Sequence, residues 1–457
     1  MKRIFILFLA LINLEFNAQC WQSVSGADLH SLGSKTDGTL WAWGSNQNGM
    51  LGDGTSIHKN TPTQIGTGTN WKVISGRYDH SQGIKTDGTL WAWGRNTYGQ
   101  LGDGTAIDKN IPTQIGTGTN WQFVFGGRIH SLGLKTDGTL WAWGSNQFGA
   151  LGDGTNFDNN IPTQIGTGTN WQYVSGGEYF SLGIKTDGTL WAWGSNLYGE
   201  LGDGTNSNKN IPTQIGTGTN WQTVTAGVSH SLAKKTDGTL WAWGFNFAGQ
   251  LGDGTNSNKN TPTQIGNGTN WQSFSGGGYH SLGIKTDGTL WAWGSNQYGD
   301  LGDGTTITKN TPTPIGVGMN WESVSAGFNH SQGIKTDGTL WVWGSNAFGQ
   351  LGDGTNIDKN APIQIPSNNC FIDLREFILP TSLDIVMYPN PARDKISIQN
   401  SKNLVIEKVL IIDYTGKVIL QLYENTSEID VQQLNSGIYF LNIYSNGNCF
   451  LSKFVKE

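Results

Sequence analysis

Thr36-Asp37-Gly38-Thr39-Leu40-Trp41-Ala42-Trp43-Gly44 recurs from Thr86, Thr136, Thr186, Thr236, Thr286 and Thr336, with a single change among the copies, Val342 for Ala. Asp-Gly favours the positive φ angles of a tight hairpin turn, so its flanks predict two antiparallel strands. In the second strand Trp41 and Trp43 point to one side and Leu40 and Ala42 to the other. Both sides are apolar, so this strand is covered on both faces. Working outward, Trp21-Gln22-Ser23-Val24 reads as a further short strand. Thr61 to Ile65 reads as a fourth, with Pro62 placing it at an edge or a strand start. Leu51-Gly52-Asp53-Gly54-Thr55 keeps the same register to Leu351, and three tryptophans per 50-residue unit account for all 21 in the chain. No segment shows a helical period. Four short strands in each of seven units predict an all-β chain, a seven-bladed β-propeller over residues 20–370.

The ends depart from the repeat. Residues 1–19 carry Lys2 and Arg3 before an apolar run, Ile4 to Leu14, too short to span a bilayer, and read as a secretory signal peptide. The residues before Cys20 (Asn17, Ala18, Gln19) fit a lipoprotein signal poorly. Residues 371–382 read as a linker, and 383–457 as a small C-terminal β-sandwich without tryptophan, built from alternating runs such as Lys395 to Ile398 and Ile438 to Tyr444.

With 457 residues, 67 glycines, 14% charged residues and a net charge of -6, the chain lacks the basic balance expected of a nucleic-acid binder. No later segment is apolar enough for a transmembrane helix. Cys20 and Cys370 stand seven periods apart, each before an aromatic residue. In a closed ring they return to one neighbourhood, and a disulfide between them is expected in an exported chain.

The pattern G-x-x-H-S-L-G-x-K-T-D-G-T-L-W-A-W-G, followed by N-x-x-G-x-L-G-D-G-T, resembles the regulator of chromosome condensation repeat. The resemblance implies a seven-bladed propeller and much less about activity. Tyr388-Pro389-Asn390-Pro391-Ala392, Gly416-Lys417, Asn435-Ser436-Gly437-Ile438-Tyr439 and the basic end with Lys453 and Lys456 resemble the type A sorting domain of bacterial type IX secretion. That implies a Bacteroidota-type exporter, with the cargo released or attached to surface lipopolysaccharide.

Conspicuous repeated residues are read as scaffold. His30, His80, His130, His230, His280 and His330 each precede a serine, and Phe180 takes the seventh place. Neighbours on a strand point to opposite faces, so these pairs are no nucleophile and base, and a repeated structural hydrogen bond is the expected role. One Asp per L-G-D-G-T falls short of a calcium loop and suits turn chemistry. No metal or cofactor is expected.

Function is therefore sought where the copies differ. Three windows vary: residues 27–29, the residues after the Trp pair, and 56–61, with their counterparts. The first supplies the candidate ligand-binding set Arg77, Tyr78, Asp79, Arg128, Glu178, Tyr179, Tyr279 and Phe328, because aromatic and Arg side chains on loops anchor interfaces. The expectation is a secreted or cell-surface, non-enzymatic binding propeller for a protein or glycan. The alternative is an extracellular polysaccharide-acting enzyme using symmetry-breaking acids such as Asp79, Glu178, Glu200 and Asp300.

Overall fold

The computed structural model describes residues 20–316, 320–366, 385–400, 405–406, 408–413, 418–423, 427–445 and 448–457. The expected signal peptide, the linker, Cys370, Gly416 and Lys417 lie outside the described residues. The chain divides into two compact units, 1–370 and 371–457.

In the first unit each repeat becomes one four-stranded antiparallel sheet. Blade 1 comprises β1 (Trp21–Gly26), β2 (His30–Lys35), β3 (Leu40–Gly44) and β4 (Lys59–Gln64), paired in that order. The β1–β2 turn and the β3–β4 loop therefore share one end of the sheet. The β2–β3 turn and the connection to the next blade share the other. All seven repeats give this sheet, and blades and repeats coincide. β1 is innermost: a Cβ added to Gly26 would lie 2.8 Å from the backbone of Gly327 in blade 7. The outermost strand, with Pro62 and its counterparts, is the expected edge and is only partly covered.

The repeated residues bolt blade to blade. Trp21 meets Trp41 and Trp43 edge to face at 6.2 and 5.6 Å, a geometry that matches the ring quadrupoles. Lys35 extends over Trp41 with its ammonium 3.8 Å from the ring centre. Trp21 and Trp43 pack into blade 7 against Ile334, Leu340, Val342, Leu351 and Ile365. From the same side, Trp43 Nε1 and Ser31 Oγ both donate to the Gln350 carbonyl, at 2.9 and 2.8 Å. His330 Nε2 completes this joint at 3.0 Å from Ser31 Oγ. Because the serine proton is committed to the carbonyl, the histidine nitrogen is the donor. The bond recurs at five further joints, from His30 to Ser81 through His280 to Ser331. Burial pushes these imidazoles down to about 3, and His330 to about 4, so the ring of histidines is neutral. Cys20 is disulfide-bonded at the start of β1.

L-G-D-G-T is turn chemistry, as its sequence suggests. Asp53 Oδ1 accepts the Thr55 N–H, the Thr55 hydroxyl and an Asn46 amide N–H, and its other oxygen lies 3.4 Å from Lys59 Nζ. The ion pair recurs in every blade except the third, where Asn159 replaces the lysine.

The second unit is a sandwich of two sheets. One joins Ile385–Tyr388, Lys395–Asn400 and Glu428–Asp430; the other joins Lys408–Asp413, Val418–Tyr423, Gly437–Ser445 and Asn448–Lys456. Ile396 and Ile429 of the first meet Val409, Ile411, Leu441 and Phe454 of the second in one core.

Candidate functional site

All three variable windows come to one face of the ring. The strand directions require it: residues 27–29 connect β1 to β2, while 45–58 connect β3 to β4, and both connections leave at the same end. The opposite face carries the repeated T-D-G-T turns.

At the centre of the variable face the inner turns enclose a cavity of about 270 Å³ lined by Asp28, Arg77, Tyr78, Arg128, Glu178, Val228, Tyr279 and Phe328. Blades 1 to 4 supply its charged part and blades 5 to 7 its apolar wall. Arg77 spans the ring axis: one guanidinium nitrogen lies 3.4 Å from the carbonyl of Ala226, three blades away. Arg128 sits over Tyr78, 4.4 Å from the ring centre, donates to the Tyr78 hydroxyl at 3.0 Å and pairs with Glu178. Burial lifts the Asp28 carboxyl to about 7, against the opposing pull of Arg77. Burial also lowers Arg77 from the ordinary arginine range, with Asp28 opposing. For Arg128 the burial cost is outweighed, first by the Tyr78 hydrogen bond, and its pKa rises.

Blade 2 breaks the regularity of this mouth. From blade 3 round to blade 1 the inner turns are chained by backbone bonds, among them Arg128 N to Gly177 O, Val228 N to Gly277 O and Phe328 N to Ala27 O. In blade 2 the inner strand runs on to Arg77, which pairs with His80, and Tyr78 turns at a φ of 47°. That left-handed conformation is strained for a tyrosine.

Of the eight candidate residues, six line the mouth: Arg77, Tyr78, Arg128, Glu178, Tyr279 and Phe328. Asp79 does not. It is buried and paired with Arg95 at 3.3 Å, and burial raises its pKa. An acid pair of Asp79 and Glu178 across the channel is therefore not assembled. Tyr179 faces a second cavity, of about 340 Å³, together with Phe148, Glu178, Phe180, Leu197, Tyr198, Glu200 and Ser229. Glu178 borders both. Aromatic rings continue from there around the face, with Tyr198 against Phe245 at 4.7 Å, Phe245 against Tyr279 at 6.1 Å and Tyr279 against Phe328 at 5.4 Å.

Asp28 and Val228 belong to the mouth although neither is among the candidates. Their signal was position alone, as counterparts of Tyr78 and Arg128, because neither is aromatic nor a cation. Asp300 is buried and raised to about 7 by burial, and it borders neither cavity. Among the described residues no group of acidic, His or Cys side chains is placed to hold a metal ion.

The sorting motif closes on the chain end. Asn390 Oδ1 accepts the Val455 N–H at 2.9 Å, and Ala392 exchanges backbone bonds with Val455 and Glu457 at 2.8 and 3.0 Å. Pro389 and Pro391 flank Asn390, and Tyr388 is exposed. Gly437 pairs with the buried Lys456 across the last two strands, and Tyr439 stacks on Phe454 at 5.5 Å.

The RCC1-like domain profile matches residues 12–266, more than half of the chain, and RCC1 repeat profiles match on from there to residue 374. The chain belongs to the RCC1-repeat family. Residues 386–457 match a secretion system C-terminal sorting domain, which implies handling by type IX secretion machinery and export to the cell surface or extracellular space. Human WBSCR16 superposes with a TM-score of 0.66 at 21% identity, over 72% of this chain and 94% of that one. Yeast RCC1 (Prp20), solved bound to Kap60, gives 0.66 at 18%, over 82% and 88%. Prp20p of Saccharomyces cerevisiae, in a study that includes its binding to Gsp1p and histones, gives 0.65 at 19%, over 80% and 90%. At these identities the likeness is one of fold. Curated protein sequences contain no match to this RCC1-repeat chain. Among its described residues no helix is long and apolar enough to cross a membrane.

Proposed function

We propose that this RCC1-repeat propeller is an exported binding protein, without catalytic activity of its own, that holds a protein or glycan on the variable face. One observation carries the reading: the departures from the repeat converge, six of the candidate residues lining a single cavity at the ring mouth. Aromatic rings and guanidinium groups at the centre of a recessed surface are the composition of binding hot spots. The mouth is also preorganised, since Arg128 is fixed by Tyr78, Glu178 and Tyr179 before any ligand arrives.

The polysaccharide-enzyme alternative keeps one acid pair, Glu178 and Glu200, which border one cavity. Screening the mature protein against polysaccharides for new reducing ends separates the two readings. The binding reading is tested by capturing partners with the wild-type propeller and with a triple variant carrying Ala at Tyr78, Arg128 and Tyr179. Capture is expected to fall at least tenfold, since such anchors commonly contribute more than 1.4 kcal/mol together. Unchanged capture would place the ligand elsewhere.

A further inference from the structure

Three departures from the repeat fall in blade 4 and meet around one cavity. Glu178 stands where blades 5 to 7 carry Val228, Gly278 and Phe328, and Phe180 replaces the histidine of every other blade. Glu200 takes a place held by Gln100, Gln250 and Gln350 and, in blade 6, by Asp300, an acid that borders neither cavity. All three border the cavity of about 340 Å³ beside the ring mouth. Phe180 removes one inter-blade bolt: Ser231 keeps its bond to the Glu200 carbonyl at 2.8 Å but has no histidine opposite. The fold gives up a structural bond here and gains an aromatic wall.

The chemistry of that wall is one-sided. Phe148 leans on Tyr179 with ring centres 5.1 Å apart, and Tyr198 stands on the same lining. These rings are tilted against their neighbours rather than set as a flat platform. Two carboxyl groups accompany them, and no Lys or Arg is among the lining residues. Glu200 is 3% exposed and accepts the Tyr198 N–H at 2.7 Å, as Gln100 accepts that of Tyr98. The loop does not need a charge at this position, since Gln100, Gln250 and Gln350 accept the equivalent bond and Met50 and Ala150 stand there without an acceptor side chain. An acid among tilted aromatic rings is the environment that holds an ammonium or guanidinium group.

We infer that this blade 4 cavity receives a lysine or arginine side chain of the bound partner, with Glu200 as its counter-charge and Tyr179, Tyr198 and Phe148 as its cage. The inference rests on the binding role proposed above and narrows its ligand to a protein that presents a cation. It also predicts coupling to pH. Burial holds the Glu200 carboxyl up to about 7. The titratable groups facing it are Glu178 and Tyr179 from the inner turn and Tyr198 from its own loop, while blade 5 contributes only Val228 and Ser229. Arg128 is engaged by Glu178. A cation favours the ionised form of Glu200, so binding tightens as pH rises through neutrality.

The test uses the mature chain and three small probes: Nα-acetyl-lysine amide, Nα-acetyl-arginine amide and the uncharged Nα-acetyl-norleucine amide, with N-acetylglucosamine as a sugar control. Ligand-observed NMR is expected to show binding of at least one cationic probe and neither of the other two. Affinity for that probe should rise about tenfold from pH 6 to pH 8, following the ionised fraction of a group with a pKa near 7. E200Q places the residue of blades 2, 5 and 7 at this position, so it keeps the backbone acceptor. It should remove the pH dependence and weaken binding at pH 8. F180H restores the repeat and should weaken binding by restoring the bolt in place of the wall. Equal binding of norleucine amide, binding of the sugar alone, no binding of any probe, or an unaltered pH profile in E200Q would each overturn the inference. The binding role itself stands or falls separately, by capture with the triple alanine variant.

Discussion

The two faces of the ring are made from the same seven repeats, yet one has stayed uniform and the other has diverged. On the uniform face the β2–β3 turn is held from both sides. Asp37 Oδ1 accepts the Thr39 N–H at 3.0 Å and its hydroxyl at 2.6 Å, and Thr39 in turn accepts the Trp41 indole N–H. Gly38 sits at a φ of 78°, with its carbonyl taking the Trp71 N–H of the next blade. A Cβ there would stand 2.0 Å from the Thr69 carbonyl oxygen. On the other face the buried part of each loop is equally fixed, since Asn46 Oδ1 accepts the Leu51 N–H and its counterparts do likewise. Many of the side chains that differ point into the mouth, the second cavity or solvent, while others, such as Asp79 and Asp300, are buried beside them. Divergence is thus concentrated on the face whose loops are held by a few repeated bonds and absent from the face where every turn residue is engaged.

The sharpest way to break this contrast is a methyl group. Gly138→Ala on the uniform face forces an L-residue to a φ of 76° and places Cβ 2.1 Å from the Thr169 oxygen. Urea unfolding should show a loss of roughly 3–5 kcal/mol, combining left-handed strain with overpacking against backbone. Phe247→Ala on the variable face, where the ring is 78% exposed, should cost less than about 0.5 kcal/mol. Comparable losses at the two sites would mean that the faces are constrained alike. Next in size is closure. The joint between blades 7 and 1 uses the serine, tryptophan and histidine bonds of the repeat, and neither blade borrows a strand from another part of the chain. Cys20→Ser should lower stability by about 2–4 kcal/mol, and a non-reducing peptide map should contain a fragment joining Cys20 to Cys370. Pairing of Cys20 with Cys449 instead would show that the staple does not close the ring.

The fold was legible because one period carries every structural demand. Asp37-Gly38 dictates a hairpin, Trp41 and Trp43 a covered strand, and the 50-residue spacing repeats both. The site was legible only in part. Tyr78, Arg128 and Phe328 announce themselves as aromatic or cationic breaks in the first window, and they do line the mouth. Asp79 breaks the repeat as plainly, yet the tighter turn of blade 2 sends it to Arg95 instead. Residue type reveals that a position is free to vary. Which cavity it faces depends on turn geometry, which is not periodic. Glu200 is the opposite case, an acid in a place that three other blades give to glutamine. Its meaning emerges only once Phe180 and Glu178 are seen beside it.

Glu200 also provides the finest test of the contrast, because a position on the diverged face can carry a stability cost. It is an acid whose pKa in the fold, about 7, lies above its ordinary 4.5. The folded chain therefore keeps the proton to higher pH than the unfolded chain, and stability falls as pH rises between those values. The six buried histidines act in the other direction, since their lowered pKa values destabilise the fold as pH drops below about 6.5. Both variants share those histidines, so the difference between E200Q and wild type isolates the glutamate. E200Q should be more stable by about 1–3 kcal/mol at pH 8 and nearly equal at pH 5. Thermal unfolding at the two pH values reads this directly. A gain at pH 8 together with weaker capture of partners would mark Glu200 as a residue kept for binding at the expense of the fold. Equal stability at both pH values would show the carboxylate already solvated or paired, and the cost removed.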